Sequence, residues 1–179
     1  MSTLPISKAG SLYPCDIANT LLALAGGMSQ EAIPIVFASQ AALAEVPPLP
    51  LLSAIDYLKK IPVGGGTYPQ RAFELLSARK LGADRVLIFS DMQALQAGAE
   101  EAMKAWRSEL APGAWIHSVD LMGYGTAQFR GDRVSLLAGW SEKMLEAMQA
   151  AEKGAGSIVQ QIEALEPEQQ RLGVTSEEE

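Results

Sequence analysis

The chain has 179 residues, 48% of them apolar, enough for one domain of ordinary size with a real core. Fourteen basic against 21 acidic residues leave a net charge of −7 with no basic block, which argues against direct binding to DNA or RNA phosphates. A single cysteine, Cys15, excludes an internal disulfide, no apolar run approaches the ~20 residues of a membrane span, and no signal peptide is evident, so the expected setting is soluble and cytoplasmic.

Residues 1–13 are small and polar, with one apolar touch at Leu4-Pro5-Ile6. Pro14 suits a first helical turn, Asp16 favours the amino end of that helix, and Gly26-Gly27 are expected to end it. "IPIVFAS" (33–39) reads as a buried strand and "AALAEV" (41–46) as its hairpin partner. "LLSAIDYLKK" (51–60) reads as a helix with Leu51, Ile55 and Leu58 inward. "YPQRAFELLSARKLG" (68–82) reads as a helix closed by Gly82, and "RVLIFS" (85–90) as a strand fit for burial on both faces. Ala99, Met103, Trp106 and Leu110 mark an amphipathic helix, "WIHSVDL" (115–121) and "RVSLLAG" (133–139) read as strands, and "SEKMLEAMQAAEK" (141–153) as a helix with Ser141 at its N-cap. The alternation predicts an α/β domain, doubly wound, with a mostly parallel sheet and helices on both faces.

In such sheets ligands gather beyond the carboxyl ends of the strands, which is where Asp91, Asp120 and the glycine loop 61–67 should meet. Glycine at 65 and 66 lets backbone approach a ligand or partner closely. The Thr67 hydroxyl and the Asp91 carboxylate are the ligand types of a hard divalent cation, Mg²⁺ or Mn²⁺, with an open position for a partner's carboxylate. The structural alternatives are equally concrete: Thr67 and Gln70 fit a T-x-x-Q capping box, and Asp91 and Asp120 could cap the turns after their strands. His117, the sole histidine, lies mid-strand and reads as a packed residue, and Cys15 as an inert one. No phosphate-binding loop, nucleophile elbow or nucleophile–base pair is present.

The segments "DIANTLLALA" (16–25), "PIVFAS" (34–39), "GGGT" (64–67), "VLIFSDMQ" (86–93), "VDLMGYGT" (119–126) and "VSLLAGWSEKMLEAM" (134–148) together resemble a von Willebrand factor A (vWA) domain, most closely the C-terminal vWA module of Ro-type (TROVE) ribonucleoproteins. The resemblance implies a doubly wound sheet with one antiparallel edge strand and a metal-ion-dependent adhesion site, for which Thr67 and Asp91 match the family's threonine and aspartate. The D-x-S-x-S motif of that site falls on Pro5-Ile6-Ser7-Lys8-Ala9, where only Ser7 matches, and little chain is left for the first, central strand. That strand is then stunted, closed over by its neighbours, or supplied by another chain. The RNA-binding ring of the family has no counterpart in the sequence, so contact with RNA is expected only indirectly.

The expectation is a vWA-like domain over residues 1–155, N-terminally truncated, with a C-terminal helix and acidic tail over 156–179. Its function is expected to be non-enzymatic protein interaction with a degenerate ion site: Thr67, Asp91 and Ser7 toward a weakly held Mg²⁺ or Mn²⁺, and Gly65, Gly66 and Asp120 toward a protein partner, within a Ro-like ribonucleoprotein or RNA quality-control particle. Two alternatives stand beside it. One is a divalent-metal-dependent phosphate hydrolase using Asp91 and Asp120. The other is a structural subunit that completes another chain's sheet.

Overall fold

The computed structural model describes residues 13–28, 31–46, 50–93, 98–124, 127–139, 141 and 143–154. The chain divides into two compact units, Met1–Trp140 and Ser141–Glu179. In chain order the first unit holds α1 (Pro14–Met28), β1 (Ile35–Phe37), β2 (Ala41–Leu43), α2 (Leu51–Lys59), α3 (Gln70–Ala78), β3 (Arg85–Ser90), α4 (Ala99–Leu110), β4 (Trp115–Asp120) and β5 (Val134–Ala138). The second unit contributes α5 (Met144–Lys153).

The α/β architecture expected from the alternating pattern is present. Among the described residues it is organised in two sheets: an antiparallel hairpin, β1-β2, and a parallel sheet in the order β3-β4-β5. Register in the parallel sheet pairs Val86 with Ile116 and Ile116 with Val134, placing branched residues in rows on one face. That face carries the core, where Ile88 and Ile116 meet Phe73 and Leu76 of α3 and Met103 and Trp106 of α4. Ile35 and Phe37 of β1 pack against the same cluster, so both sheets contribute to one core. The other face is buried as well at Phe89, His117 and Val119, as expected of a parallel sheet.

The hydrogen-bond phase defines the outer edges of these sheets. The Trp115 N–H donates to Asp84 O (3.0 Å) and the Leu121 N–H to Ser90 O (2.8 Å). Even-numbered residues of β3 therefore bond β4, while Leu87 and Phe89 turn their backbone N–H and C=O the opposite way. In the hairpin, Ala44 N–H donates to Pro34 O (2.8 Å) and Ala38 N–H to Gln40 O (2.7 Å). Ile35 and Phe37 thus stand in non-hydrogen-bonded pairs with Leu43 and Ala41 and direct their backbone groups away from β2. Among the described residues no strand pairs with either edge.

Several local expectations are corrected. Gly26 and Gly27 lie within α1. Leu51 is exposed, because α2 turns Ala54, Ile55 and Leu58 inward. α3 ends at Ala78 with Arg79 as its C-cap, and Lys80 rather than Gly82 takes the left-handed conformation (φ 53°) that breaks the helix. Gly82 answers a tertiary demand instead: a Cβ there would stand 2.7 Å from the Leu110 carbonyl oxygen. α5 starts later than expected, with Lys143 at its N-cap and no side-chain cap from Ser141.

α1 and α2 pack together, joined by an ion pair between Lys59 Nζ and Asp16 Oδ1 at 2.6 Å. Asp16 Oδ2 also accepts the Tyr13 N–H (2.9 Å), the helix-start role expected of it. Burial pushes the Asp16 carboxyl up, but the Lys59 ammonium and the Tyr13 N–H outweigh this and hold it below the usual carboxylate range. Lys59 is raised in return by Asp16. A depressed carboxyl stabilises the fold above its unfolded pKa, about 3.9, and that stability is lost as pH falls through the folded value. A raised ammonium stabilises below about 10.4 and loses this as pH rises through its folded value. The expected result is a stability gap between wild type and Lys59→Met of no more than ~1 kcal/mol at neutral pH, because the lysine is largely solvated. Denaturant midpoints across acid pH check it, and the gap should close as pH falls through the lowered Asp16 carboxyl value.

Candidate functional site

The rim at the carboxyl ends of β3 and β4 gathers three of the buried polar side chains among the described residues, Ser90, Asp91 and Asp120. Register pairs Ser90 with Asp120, and the chain beyond each strand is stitched to its neighbour: Leu121 N–H donates to Ser90 O, and Gly139 N–H to Asp120 O (2.8 Å). Asp91 is fully buried and Asp120 is 5% exposed. Asp91 and Asp120 therefore share one rim, as the sequence predicted.

Both carboxylates cap turns. Asp120 Oδ1 accepts the N–H groups of Met122 (3.0 Å) and Gly123 (2.9 Å). Asp91 Oδ1 accepts the Gln93 N–H at 3.4 Å, and Ser90 Oγ accepts the Met92 N–H at 3.1 Å. Met92 sits between them at φ 54°, a left-handed conformation held by these bonds. This is the side-chain-to-backbone pattern that Asp and Ser favour after strands.

Thr67 is 4% exposed and leads into α3. The capping box expected of Thr67 and Gln70 does not form. Pro69 occupies the N-cap, which makes Gln70 the first helical residue rather than the third, and its buried Oε1 has no hydrogen-bond partner. That orphaned acceptor is a feature the sequence concealed behind the motif.

The glycine loop is shaped by the hairpin. Gly64 (φ 80°) and Gly66 (φ 81°) are both left-handed. A Cβ on Gly64 would lie 2.1 Å from Ser39 Oγ, which itself donates to Val63 O (3.2 Å), while Gln40 N–H donates to the same carbonyl (2.9 Å). Close approach of loop to hairpin thus accounts for Gly64, and the exposed Gly65 has open space beyond its α-carbon. Ser39 was missed because nothing local marks it; its partner lies 24 residues away.

Behind the rim is a small cavity of about 90 Å³ lined by Met92, Ser118, Asp120, Ala127 and Leu136. It is well below the ~300 Å³ of an ordinary small-molecule site. Ser118 Oγ donates to Met92 Sδ across it (3.5 Å).

A Mg²⁺ or Mn²⁺ ion asks for about six oxygen ligands with charge among them. Among the described residues no three His, Cys, Asp or Glu side chains gather to hold a metal, and Asp91 and Asp120 each spend Oδ1 on backbone N–H groups. The donors among the described residues fit such an ion poorly. Ser7 lies outside the described residues, as does the whole 5–9 stretch that aligns with D-x-S-x-S.

His117 is buried on the sheet, with Nδ1 3.0 Å from Ser135 Oγ and its ring stacked on Trp115 at 5.7 Å, the packed position expected of it. Burial, then the Asp16 carboxylate, push the Cys15 thiol up, so it stays protonated and unreactive at neutral pH. Among the described residues no helix is long and apolar enough to cross a membrane.

No protein-family model matches the chain, and no curated protein matches it. Among solved structures it is similar to the Ro (RSR) protein of Deinococcus radiodurans, with a TM-score of 0.68 at 18% identity over 86% of this chain and 32% of that one. It therefore spans about a third of that protein's length. A looser likeness, TM-score 0.49 at 17% identity, covers 83% of this chain and 89% of an aerotolerance-related membrane protein from Bacteroides fragilis. The likeness to the Ro protein shows the fold, an α/β vWA/Rossmann-like domain, and at that level the resemblance read from the sequence holds.

Proposed function

We propose that this chain is a non-enzymatic, vWA-like protein-interaction module with a degenerate ion site, working in a Ro-like ribonucleoprotein or RNA quality-control particle in the cytoplasm. The observation that carries the reading is the state of the rim. Its two aspartates are committed to turns, and the cavity behind them is too small for an ordinary substrate. A rim of this kind can still present backbone at Gly65 and Gly66, and polar groups near Asp120, to a protein surface. Likeness to part of a Ro protein supports the proposed setting, with RNA reached only through partners. A hydrolase reading would need a cation held by several carboxylates and a basic group on the phosphate, and the rim offers it little support.

Calorimetric titration with Mg²⁺ and Mn²⁺ tests the reading. Expected is binding no tighter than ~1 mM, since affinity follows the charge and number of ligands, and no change in Asp91→Ala. Micromolar binding abolished by Asp91→Ala would overturn it.

A further inference from the structure

We infer that the pole of the first unit opposite the rim, at the amino ends of β3, β4 and β5, is a docking surface for an acidic segment of a partner protein, recognised by Arg107 and Arg133. This surface is separate from the rim and does not depend on what the rim binds. Three stretches remote in sequence meet there, 79–84, 107–113 and 130–133. The Trp106 indole N–H reaches Leu81 O, the Trp115 N–H donates to Asp84 O, and the Ile116 N–H to Arg133 O. Arg107 Nη2 donates to Asp132 O (2.6 Å) and Arg133 Nη1 to Gly113 O (2.7 Å). The three stretches carry five basic residues, Arg79, Lys80, Arg107, Arg130 and Arg133, and three acidic ones, Asp84, Glu109 and Asp132. Nine of the fourteen basic and eighteen of the 21 acidic residues lie elsewhere, so folding gathers a basic pole on an acidic chain.

Part of this has a local cause. α3 and α4 both end at this pole, and cations are favoured at a helix carboxyl end, which accounts for Arg79, Lys80 and Arg107. It does not account for Arg130 and Arg133, which lie outside helices and are exposed. At Arg133 the backbone is left-handed (φ 53°), a conformation that glycine adopts without strain. An arginine stands there nonetheless, its guanidinium tied to a carbonyl.

Those ties decide what the pole can recognise. Arg107 and Arg133 are held by backbone carbonyls, with Met103 Sδ a further contact of Arg107 at 3.9 Å. The Asp132 carboxylate is 92% exposed and 3.9 Å from Arg133 Nε, a loose pair. A guanidinium has five N–H donors, more than these bonds use. Both heads are therefore fixed while keeping charge and donors for a carboxylate, which a guanidinium grips through two parallel bonds. Fixing them in advance lowers the entropy lost on binding. The three interleaved acids favour a protein segment over nucleic acid. A phosphate backbone is negative without interruption and would meet Asp84, Glu109 and Asp132, whereas a peptide can set neutral residues opposite them.

The test is an NMR titration of the isotope-labelled full chain at low salt with a synthetic peptide of four glutamates alternating with glycines. Expected are shifts of the Arg107 and Arg133 Nε–H signals and of the Gly113 and Gly131 amides, with a Kd of ~1 mM. The shifts should be absent with the glutamine version of the peptide. Arg133→Gly removes a charge at a backbone that suits glycine, so the fold is kept, and should weaken binding at least ~5-fold. Lys60→Gln alters the net charge equally at an exposed site on α2 and should leave binding unchanged. Equal effects of the two substitutions would reduce the result to general charge and overturn the inference. Shifts confined to other residues, or none with saturating peptide, would overturn it too. So would a uridylate decamer that binds these same residues more tightly than the glutamate peptide, since the pole would then belong to nucleic acid.

Discussion

Replacing Trp106 by alanine is expected to destabilise the chain by about 4 kcal/mol, within the ~3–5 kcal/mol range for a buried aromatic cut to a methyl. Trp106 is fully buried and stands where α4 meets α3, its ring 5.5 Å from that of Phe73, which in turn meets Phe129 at 5.7 Å. Removing it opens a cavity in the middle of the one cluster on which both sheets rest. It also leaves the Leu81 carbonyl without the indole N–H that reaches it at 2.8 Å, a bond that holds the α3–β3 connection against α4. Thermal unfolding should move down by roughly 10 °C or more for a chain of this size. Trp106→Phe separates the two contributions, keeping most of the volume and losing only the hydrogen bond, and should cost about half as much or less. Urea unfolding of the three proteins checks this. An alanine variant within ~1 kcal/mol of wild type would show that the core is not organised around this residue.

The second large effect is expected at Gly64, where alanine should cost about 2–3 kcal/mol. The left-handed backbone alone disfavours an L-residue by ~1–2 kcal/mol. The new Cβ would also fall 2.1 Å from Ser39 Oγ, so that hydroxyl must swing away from the Val63 carbonyl and give up a bond worth about 1 kcal/mol. The double variant Gly64→Ala, Ser39→Ala relieves the contact but not the backbone strain, and should recover part of the loss. Recovery in the double variant places the defect between loop and hairpin. Equal instability in both would place it in the backbone conformation only. Gly65→Ala, with open space at that position, serves as the control and should stay within ~0.5 kcal/mol of wild type.

Much of the fold is legible in short-range pattern. The run "RVLIFS" is β3 residue for residue, and "WIHSVDL" runs one residue past the end of β4, because apolar and branched residues in an unbroken stretch suit a strand of a parallel sheet buried on both faces. Ala99, Met103 and Trp106 recur at helical spacing and all three are buried on α4. Helix ends were less legible. Gly82 looks like a terminator and Ser141 like a cap, since both residue types favour those places, but the chain uses Lys80 and Lys143 there. The T-x-x-Q motif at Thr67 and Gln70 likewise fits a capping box until Pro69 takes the N-cap and shifts the frame.

The candidate site divides in the same way. That Asp91 and Asp120 share a rim follows from the order of strands, and strand order follows from hydrophobic pattern, which each segment carries within itself. What those carboxylates do was decided by the tertiary structure. Asp120 closes a turn through two N–H groups, and Gly64 answers to a serine 25 positions away rather than to a ligand. The sequence by itself determined which segments are buried and in what succession. Only the folded chain determined which polar atoms meet and which backbones come close, because hydrogen bonds and close approaches depend on neighbours remote in the chain, whereas burial is written into the spacing of apolar residues along it.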